Sequence, residues 1–239
     1  MYRWSYLFVA LLLFVPVLIW GCEDQDDPAA PEKPAVEEPD VPGEQEDPDD
    51  YTAPTDDVEE SDRPWKAANQ LQQEKTTTII MEGMEEEIAL KLHVSSLYPY
   101  ALYLDTEKYH LKEKDNKDLI QPRAEVKPEV FMAIWHQDNT GLTEMLSIIE
   151  EKLKEQYPEV YVEGSVESPL PSQHIYAQSG SAWDDAKERY YLIEDQQDGV
   201  FVVQQKLFNE AVEGHGSRFN NILSEFFSWN PDKNEFVPH

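Results

Sequence analysis

Few residues of this chain have both the side-chain type and the spacing that a catalytic or metal-binding site requires. Its six histidines fall in different predicted elements, and no two are three or four residues apart, the spacing that sets zinc ligands on one helical face. The chain has neither Gly-x-Ser-x-Gly nor Ser-x-x-Lys, two arrangements that activate a serine nucleophile. No metal site, cofactor or catalytic residue is therefore predicted, although histidines on neighbouring strands could still converge in the fold.

The most site-like local sequence is Gly214-His215-Gly216-Ser217. Two interpretations are open. Backbone amides of flexible glycines at a helix N-terminus could bind an anion, or the glycines form a loop and Ser217 caps the last helix. We expect the cap, and we keep His215 as a possible ligand contact.

Aromatic side chains could instead line a groove for a sugar or a peptide, because they bury area while presenting polar tips. The candidates are Tyr98, Tyr100, Tyr103, Tyr109, Trp135 and Trp183. For most of them we expect packing within a sheet. Trp183 is the exception, because it lies in a small, polar segment (residues 178–185) where a tryptophan has little core to enter. It is the second possible ligand contact.

Acidic pairs such as Asp184-Asp185 could supply a general acid and a general base. In a chain with 49 acidic residues, however, adjacency alone carries almost no information. Glycoside hydrolysis requires two carboxyl groups that face each other across a cleft. The sequence therefore leaves a hydrolase open as an alternative.

The only cysteine, Cys22, follows an apolar run at residues 7–20, before which Arg3 is the only charged residue. A positive start, a short apolar centre and a small residue at the cut site are the layout of a secretory signal. The run is also short for a bilayer core, which needs about 20 apolar residues. We predict a signal peptide at residues 1–21.

The boundary Ile19-Trp20-Gly21-Cys22 resembles the bacterial lipobox, although Trp20 departs from the small residue usual at its position. The resemblance implies a diacylglycerol on Cys22, with palmitate among the acyl chains, and a place on the outer face of the cell membrane. Two or three chains give lasting attachment, since burial contributes about 0.8 kcal/mol per methylene. An uncleaved anchor and a buried thiol are the alternatives. A single cysteine excludes an intramolecular disulfide.

Residues 22–62 are predicted to be a disordered acidic tether. Residues 23–62 contain 18 acidic residues, one basic residue, seven prolines and no Leu, Ile, Phe, Met or Trp, so they cannot bury enough apolar surface to offset the entropy of ordering. A flexible chain of this length averages roughly 35 Å from end to end. A calcium loop starting at Asp47 would need an Asp or Asn ligand where Tyr51 stands, so we expect only loose attraction of cations.

The charge of the chain excludes some partners. The formal net charge is −30, whereas phosphate binding needs a basic footprint, so nucleic acid is not an expected partner. Anionic lipid headgroups would also repel the chain, so attachment to the membrane would depend on the lipid.

Residues 63–239 have 31 acidic residues against 17 basic ones and enough apolar residues for one domain. Period-2 alternation predicts strands, and apolar stripes at helical spacing predict helices. The predicted fold is α+β, with a mainly antiparallel sheet and helices packed on it. The predicted helices are residues 62–73, 142–153 and 219–226, and Asn139 or Thr140 is the predicted cap of the second. The predicted strands are residues 76–81, 88–94, 100–104, 109–112, 130–136, 160–166, 175–178, 189–194 and 200–208. Glu82-Gly83 and Asp198-Gly199 predict two hairpin turns, and residues 130–136 are apolar on both faces, which predicts an interior strand.

The order of these elements over residues 76–229 resembles the PsbP-like α/β/α sandwich. It is also similar to uncharacterised Gram-positive (Bacillus-type) membrane lipoproteins that join such a domain to an acidic linker. The segments that carry the resemblance are IIMEGMEEEIALKL (residues 79–92) and FNNILSEFFSW (residues 219–229). It implies an accessory or binding module rather than a catalyst.

We therefore expect a non-enzymatic, lipid-anchored binding or accessory module of the cell envelope, whose partner is a protein, a peptide or an envelope polymer. The alternatives are an envelope hydrolase acting on wall or peptide substrates and a purely structural acidic spacer. Two facing acids, or a histidine beside a serine or acids in a cleft, would favour the enzyme. An aromatic groove without such groups would favour binding.

Overall fold

The computed structural model describes residues 63–67, 70–81 and 83–239. The predicted signal peptide, Cys22 and the acidic tether lie outside these residues. The described part contains the strands β1 (Glu74–Met81), β2 (Met84–Val94), β3 (Tyr100–Leu104), β4 (Tyr109–Lys114), β5 (Lys117–Pro122), β6 (Phe131–Asp138), β7 (Glu159–Val166), β8 (Ser172–Gln178), β9 (Ala186–Asp195), β10 (Gly199–Phe208), β11 (Phe227–Asn230) and β12 (Glu235–Pro238). The helices are α1 (Leu142–Gln156) and α2 (Ser217–Leu223), with a 3₁₀ turn at Pro64–Ala67 and a π-helical turn at Val212–Gly216.

These strands form two sheets, and every pairing between them is antiparallel. The five-stranded sheet has the order β1-β2-β3-β11-β12, and the seven-stranded sheet has the order β4-β5-β6-β10-β9-β8-β7. The prediction of a mainly antiparallel, sheet-dominated fold is confirmed. With only two short helices among the described residues, the fold is not clearly an α/β/α sandwich.

Helix α1 packs on one face of the seven-stranded sheet because its apolar residues recur every four positions. Met145, Ile149 and Leu153 form one buried stripe. This stripe contacts alternate residues of the sheet, among them Ile175 and Tyr190. The opposite face of the sheet packs against β3 and α2 in the larger core, which includes the fully buried rings of Tyr100, Phe201, Phe219 and Phe226.

Two predicted hairpins are confirmed, and both depend on turn residues with positive φ. Gly83 has φ of 80° between β1 and β2, and Asp198 has φ of 74° before Gly199, where β10 begins. Glycine and aspartate tolerate this left-handed region better than branched residues do. The predicted interior strand is confirmed as well, since β6 pairs with both β5 and β10.

The prediction of a helix at residues 62–73 is wrong. Among the described residues of this segment, the helical part is the 3₁₀ turn at Pro64–Ala67, and β1 begins at Glu74. The indole nitrogen of Trp65 donates to the backbone oxygen of Ser95 at 3.2 Å, which ties this turn to the segment after β2. Tertiary contacts of the aromatic ring therefore override the local helix-start residues.

Both predicted helix caps are wrong. Asn139 sits in a turn with φ of 52°. The N-cap of α1 is Gly141, which makes no side-chain capping hydrogen bond, so neither Asn139 nor Thr140 is the cap. At the last helix, the π-helical turn runs directly into α2, so Ser217 already has helical dihedral angles and cannot cap. The sequence prediction also omitted β5, β11 and β12.

Candidate functional site

The outer end of the seven-stranded sheet carries a regular array of polar and aromatic side chains. Strand β7 is the edge strand, and α2 reaches only as far as β10 and β9, where Asn220 contacts Gln205 and the Tyr191 hydroxyl. The part of this face formed by β7 and β8 lies beyond these contacts of α2. Cavity space of about 310 Å³ lies there, and we call it the groove. It is lined by Glu163, Val166, Ser168, His174, Tyr176, Lys187, Arg189 and Tyr191.

Strand register places the groove side chains in matched positions. Tyr161 of β7 pairs with Tyr176 of β8, and Tyr176 pairs with Arg189 of β9. One step along, His174 of β8 pairs with Tyr191 of β9. Directly paired residues point to the same side of a sheet, so these side chains share one face.

Four rings in this array form a continuous stack. The rings of Tyr161 and Tyr176 have centroids 4.8 Å apart at 18°, and His174 lies 5.8 Å from Tyr176 at 27°. His174 and Tyr191 follow at 4.5 Å and 23°. Exposure falls along the stack, from Tyr161, which is 41% exposed, to the buried Tyr191. The stack therefore leads from the open sheet edge into the groove.

A β-bulge shapes the outer wall. The register between β7 and β8 shifts between Val162 and Gly164, and Gly164 has φ of 78°, which favours glycine. The extra residue, Glu163, contacts His174 Nδ1 through its carboxylate at 2.7 Å. Burial lowers the pKa of His174, and Glu163 opposes this shift only in part. His174 is thus held as a packed imidazole with the acid beside it.

Two cations line the inner wall of the groove. Lys187 and Arg189 are half-buried on β9, and within residues 63–67, 70–81 and 83–239 neither forms a salt bridge. The ammonium of Lys187 lies 5.2 Å from the ring centroid of Tyr176. Burial, and next the neighbouring guanidinium of Arg189, lower the pKa of Lys187. The wall thus carries two adjacent cations that form no salt bridge among the described residues, and Glu163 opposes the lowering of the Lys187 pKa only in part.

Trp183 lies in the loop that joins β8 to β9, beyond one end of the groove strands. The loop is well ordered, since Asp185 accepts hydrogen bonds from the backbone N–H of Ala182 at 2.7 Å and from Ser179 Oγ at 3.2 Å. The backbone oxygen of Trp183 accepts from the N–H of Glu210 at 3.0 Å. Trp183 is 63% exposed, so a fixed backbone presents its indole to solvent. A role in ligand contact stays a prediction.

His215 is placed against the core. Its Nδ1 lies 2.9 Å from the Tyr109 hydroxyl, and its ring contacts Tyr109 edge-on at 5.9 Å. Burial lowers the pKa of His215, and Arg218 lowers it further. These contacts explain its position by packing, and a role in ligand contact also stays a prediction.

Packing is confirmed for three of the tyrosines proposed from sequence, Tyr100, Tyr103 and Tyr109, which are all buried. The groove rings Tyr161, Tyr176 and Tyr191 were not identified from sequence. One signal pointed to them, namely an aromatic residue in each of three successive strands. Bringing them to one face, however, requires the register and the bulge at Gly164.

A second set of polar groups meets at the end of β9. His136 lies between two carboxylates, with Nδ1 2.8 Å from Asp138 and Nε2 3.0 Å from Asp195. Nearby, His239 Nε2 lies 2.7 Å from Ser228 Oγ. Acid, histidine and serine thus come close together, as a hydrolase would require. Ser228 is 0% exposed, however, so its hydroxyl cannot reach a substrate in this arrangement.

A third polar cluster lies inside the larger core. Asp118 is fully buried, and its Oδ2 accepts from Ser95 Oγ at 2.5 Å and from the Tyr100 hydroxyl at 2.6 Å. Burial raises the pKa of Tyr100 strongly, and the Asp118 carboxylate adds to this shift. His93 is nearby, and burial lowers its pKa against the effect of Asp118. With no solvent access to the carboxylate, this cluster organises the core.

Within the ranges that the structure describes, no group of three or more histidine, cysteine or acidic side chains is arranged to hold a metal ion. In the same residues, no helix is both long and apolar enough to cross a membrane.

Comparisons with known proteins give a likeness in structure but none in sequence. No family model matches the chain, and no curated protein sequence matches it. Among solved structures, the chain is similar to LpqN, described as involved in cell envelope biogenesis of Mycobacterium tuberculosis, at 12% identity and a TM-score of 0.33. The match covers 65% of this chain and 91% of LpqN.

Proposed function

We propose that this chain is a non-enzymatic binding module of the cell envelope, and that its ligand lies in the groove over β7, β8 and β9. The observation that carries the proposal is the ring stack beside two cations that form no salt bridge among the described residues, on the side of the sheet that extends beyond the contacts of α2. Aromatic and cationic side chains of this kind contribute most of the binding energy in many recognition surfaces. Packing in the core does not explain the position of Tyr161, because this residue lies on an edge strand and is substantially exposed.

The arrangement supports binding over hydrolysis. In the groove, the carboxylate of Glu163 lies 2.7 Å from His174 Nδ1. No serine that lines the groove is in hydrogen-bond contact with a histidine among the described residues. The set that does bring serine and histidine together, at Ser228 and His239, is closed to substrate by burial. A hydrolase requires its nucleophile or acid pair to reach the scissile bond.

The proposal extends to location. A diacylglycerol on Cys22, following cleavage of residues 1–21, would anchor the chain to the outer face of the cell membrane. The acidic segment at residues 22–62 would then hold the folded domain, PsbP-like in its order of elements, away from the surface. These features come from the sequence pattern described above. They place the groove where an envelope protein, peptide or polymer could reach it.

Site-specific photocrosslinking in cells tests the groove. The variant Tyr161→p-benzoylphenylalanine places the probe at the exposed end of the ring stack, and Trp183→p-benzoylphenylalanine tests the neighbouring loop. Ile148→p-benzoylphenylalanine is the matched control, because Ile148 is also exposed and apolar but lies on α1, on the opposite face of the sheet. We expect an adduct of defined mass at position 161 and none at position 148. Equal adducts at both positions, or none at 161, would refute the proposal.

The anchor has a separate test. Cys22→Ser should release the chain from the membrane fraction and abolish the mass increment of the lipid, because no other cysteine is present. If the variant still fractionates with membranes and the unaltered chain carries no lipid, the lipoprotein interpretation is wrong.

A further inference from the structure

We infer that the ligand of the groove is a saccharide chain that carries a carboxylate, and that Lys187 and Arg189 bind this carboxylate. The inference rests on the proposed function, since it names the ligand class of the same groove.

The acidic group follows from the charges of the inner wall. Lys187 and Arg189 are adjacent on one face of β9, both half-buried and both lining the groove. The only acid in the lining is Glu163, and it already contacts His174 at 2.7 Å. Two neighbouring cations repel each other, and a carboxylate between them would relieve that repulsion while gaining charge-assisted hydrogen bonds. Lowering of the Lys187 pKa by burial and by Arg189 is consistent with this repulsion.

The saccharide follows from what the groove offers for hydrogen bonding. Strands β8 and β9 are paired on both sides, so their backbone groups are used within the sheet and a ligand must be bound by side chains. These include acceptors, such as Glu163, and donors, such as Ser168 and the tyrosine hydroxyls. A sugar hydroxyl both donates and accepts, so a mixed wall suits a chain of hydroxyl groups.

The ring stack points the same way. One face of Tyr161 is covered by Tyr176 at 4.8 Å, but β7 is the edge strand, so no neighbouring strand covers the other face. That free ring face can pack against the apolar side of a sugar ring. A saccharide that packs on Tyr161 of β7 and extends across β8 reaches Lys187 and Arg189 on β9.

A peptide fits less well. An extended peptide would gain its main-chain hydrogen bonds by adding to the free edge of β7. Adjacent strands lie about 4.8 Å apart, so a strand added there would be about 14 Å from β9. That is beyond the reach of an acidic side chain to Arg189. A peptide could therefore use the edge or the cations, but not both.

Titration calorimetry of the whole chain with a matched pair of sugars tests the inference. The pair is xylotetraose and xylotetraose carrying a single glucuronate branch, which differ by one acidic residue. We expect the acidic sugar to bind at least about tenfold more tightly, a difference of about 1.4 kcal/mol. Lys187→Gln and Arg189→Gln should each bring the affinity for the acidic sugar towards that for the neutral one. Lys206→Gln is the control, since Lys206 lies on β10 beside Phe131, outside the groove lining.

The outcomes separate the two proposals. Equal affinity for both sugars, or a stronger response to a glutamate-rich peptide, overturns the inference. If neither sugar binds while the probe at Tyr161 still gives its adduct, the inference fails and the proposed function stands. If the crosslink is also absent, both fail.

Discussion

Removing the hydroxyl of Tyr100 measures how much the buried Asp118 cluster contributes to the stability of the domain. In Tyr100→Phe the ring remains, so its stacking on Phe226 at 5.2 Å and its edge contact with Phe201 at 6.0 Å are kept. Only the 2.6 Å hydrogen bond to Asp118 Oδ2 is lost, leaving Ser95 as the remaining donor. The substitution therefore isolates one hydrogen bond to a buried carboxylate.

The magnitude follows from burial and charge. Tyr100 and Asp118 are both 0% exposed, and a hydrogen bond to a charged group contributes about 1.5–3 kcal/mol. For a domain of this size, each kcal/mol shifts the melting temperature by about 2–4 °C. We therefore expect Tyr100→Phe to melt about 3–12 °C below the unaltered chain and to lose the same 1.5–3 kcal/mol in urea unfolding.

Tyr103→Phe is the matched control. The Tyr103 hydroxyl donates at 2.7 Å to the backbone oxygen of Gln72, a neutral acceptor in a part-buried position, so its loss should cost only about 0.5–1.5 kcal/mol. Adding Asp118→Asn to each variant completes a double-mutant cycle, and only the pair with Tyr100 should show coupling. A loss for Tyr100→Phe no larger than that for Tyr103→Phe, or no coupling to Asp118, would refute the argument.

Three further predictions concern the rest of the domain. Gly199→Ala should destabilise the domain by about 1–3 kcal/mol in urea unfolding, because the added Cβ would lie 2.5 Å from His136 Cε1 and 2.8 Å from the backbone oxygen of Gln137, so these neighbours must shift; a loss below about 1 kcal/mol would contradict this. Burial lowers the pKa of His93, and also those of His174, His215 and His239. Below pH 6.5 the unfolded chain therefore binds more protons than the folded chain does. Stability should therefore fall as the pH drops from 6.5 to 5, by about 1.4 kcal/mol for each unit by which folding lowers the pKa of a histidine. In His93→Gln the melting temperature should depend less on pH than in the unaltered chain. An unchanged pH dependence would contradict the prediction. Trp183→Ala should change stability by less than about 0.5 kcal/mol, measured by the same melts, and a larger loss would mean that the indole packs against the domain.

Local sequence signals identified the parts of the fold that local chemistry determines. The apolar stripe of α1 predicted its buried face, and Gly83 and Asp198 marked two hairpin turns. At those positions a few adjacent residues decide the backbone, so a sequence pattern is sufficient.

Elements that depend on distant partners were not predictable in the same way. Strand β5 is short, with Leu119 and Ile120 between polar residues, and its place depends on pairing with β4 and β6. Strand β11 pairs with β3, which lies more than 120 residues earlier in the chain. The groove depends on the same kind of information, since its rings become neighbours only through the register of three strands and the bulge at Gly164. Residue types suggested aromatic recognition, but they pointed to the tyrosines of the core rather than to those of the sheet edge.

The acidic character of the domain and the proposed binding of an acidic sugar are compatible because the two effects act over different distances. Residues 63–239 contain more acidic residues (31) than basic ones (17), so the domain repels polyanions as they approach. Salt screens this repulsion over about 8–10 Å. In the proposed complex, Lys187 and Arg189 would act only on a group already inside the groove that they line. The acidic surplus would therefore disfavour nucleic acid and anionic lipid surfaces, while the two cations would favour a ligand that carries a carboxylate. A sparsely charged acidic saccharide meets both conditions. A uniformly charged polymer offers the carboxylate but meets the long-range repulsion.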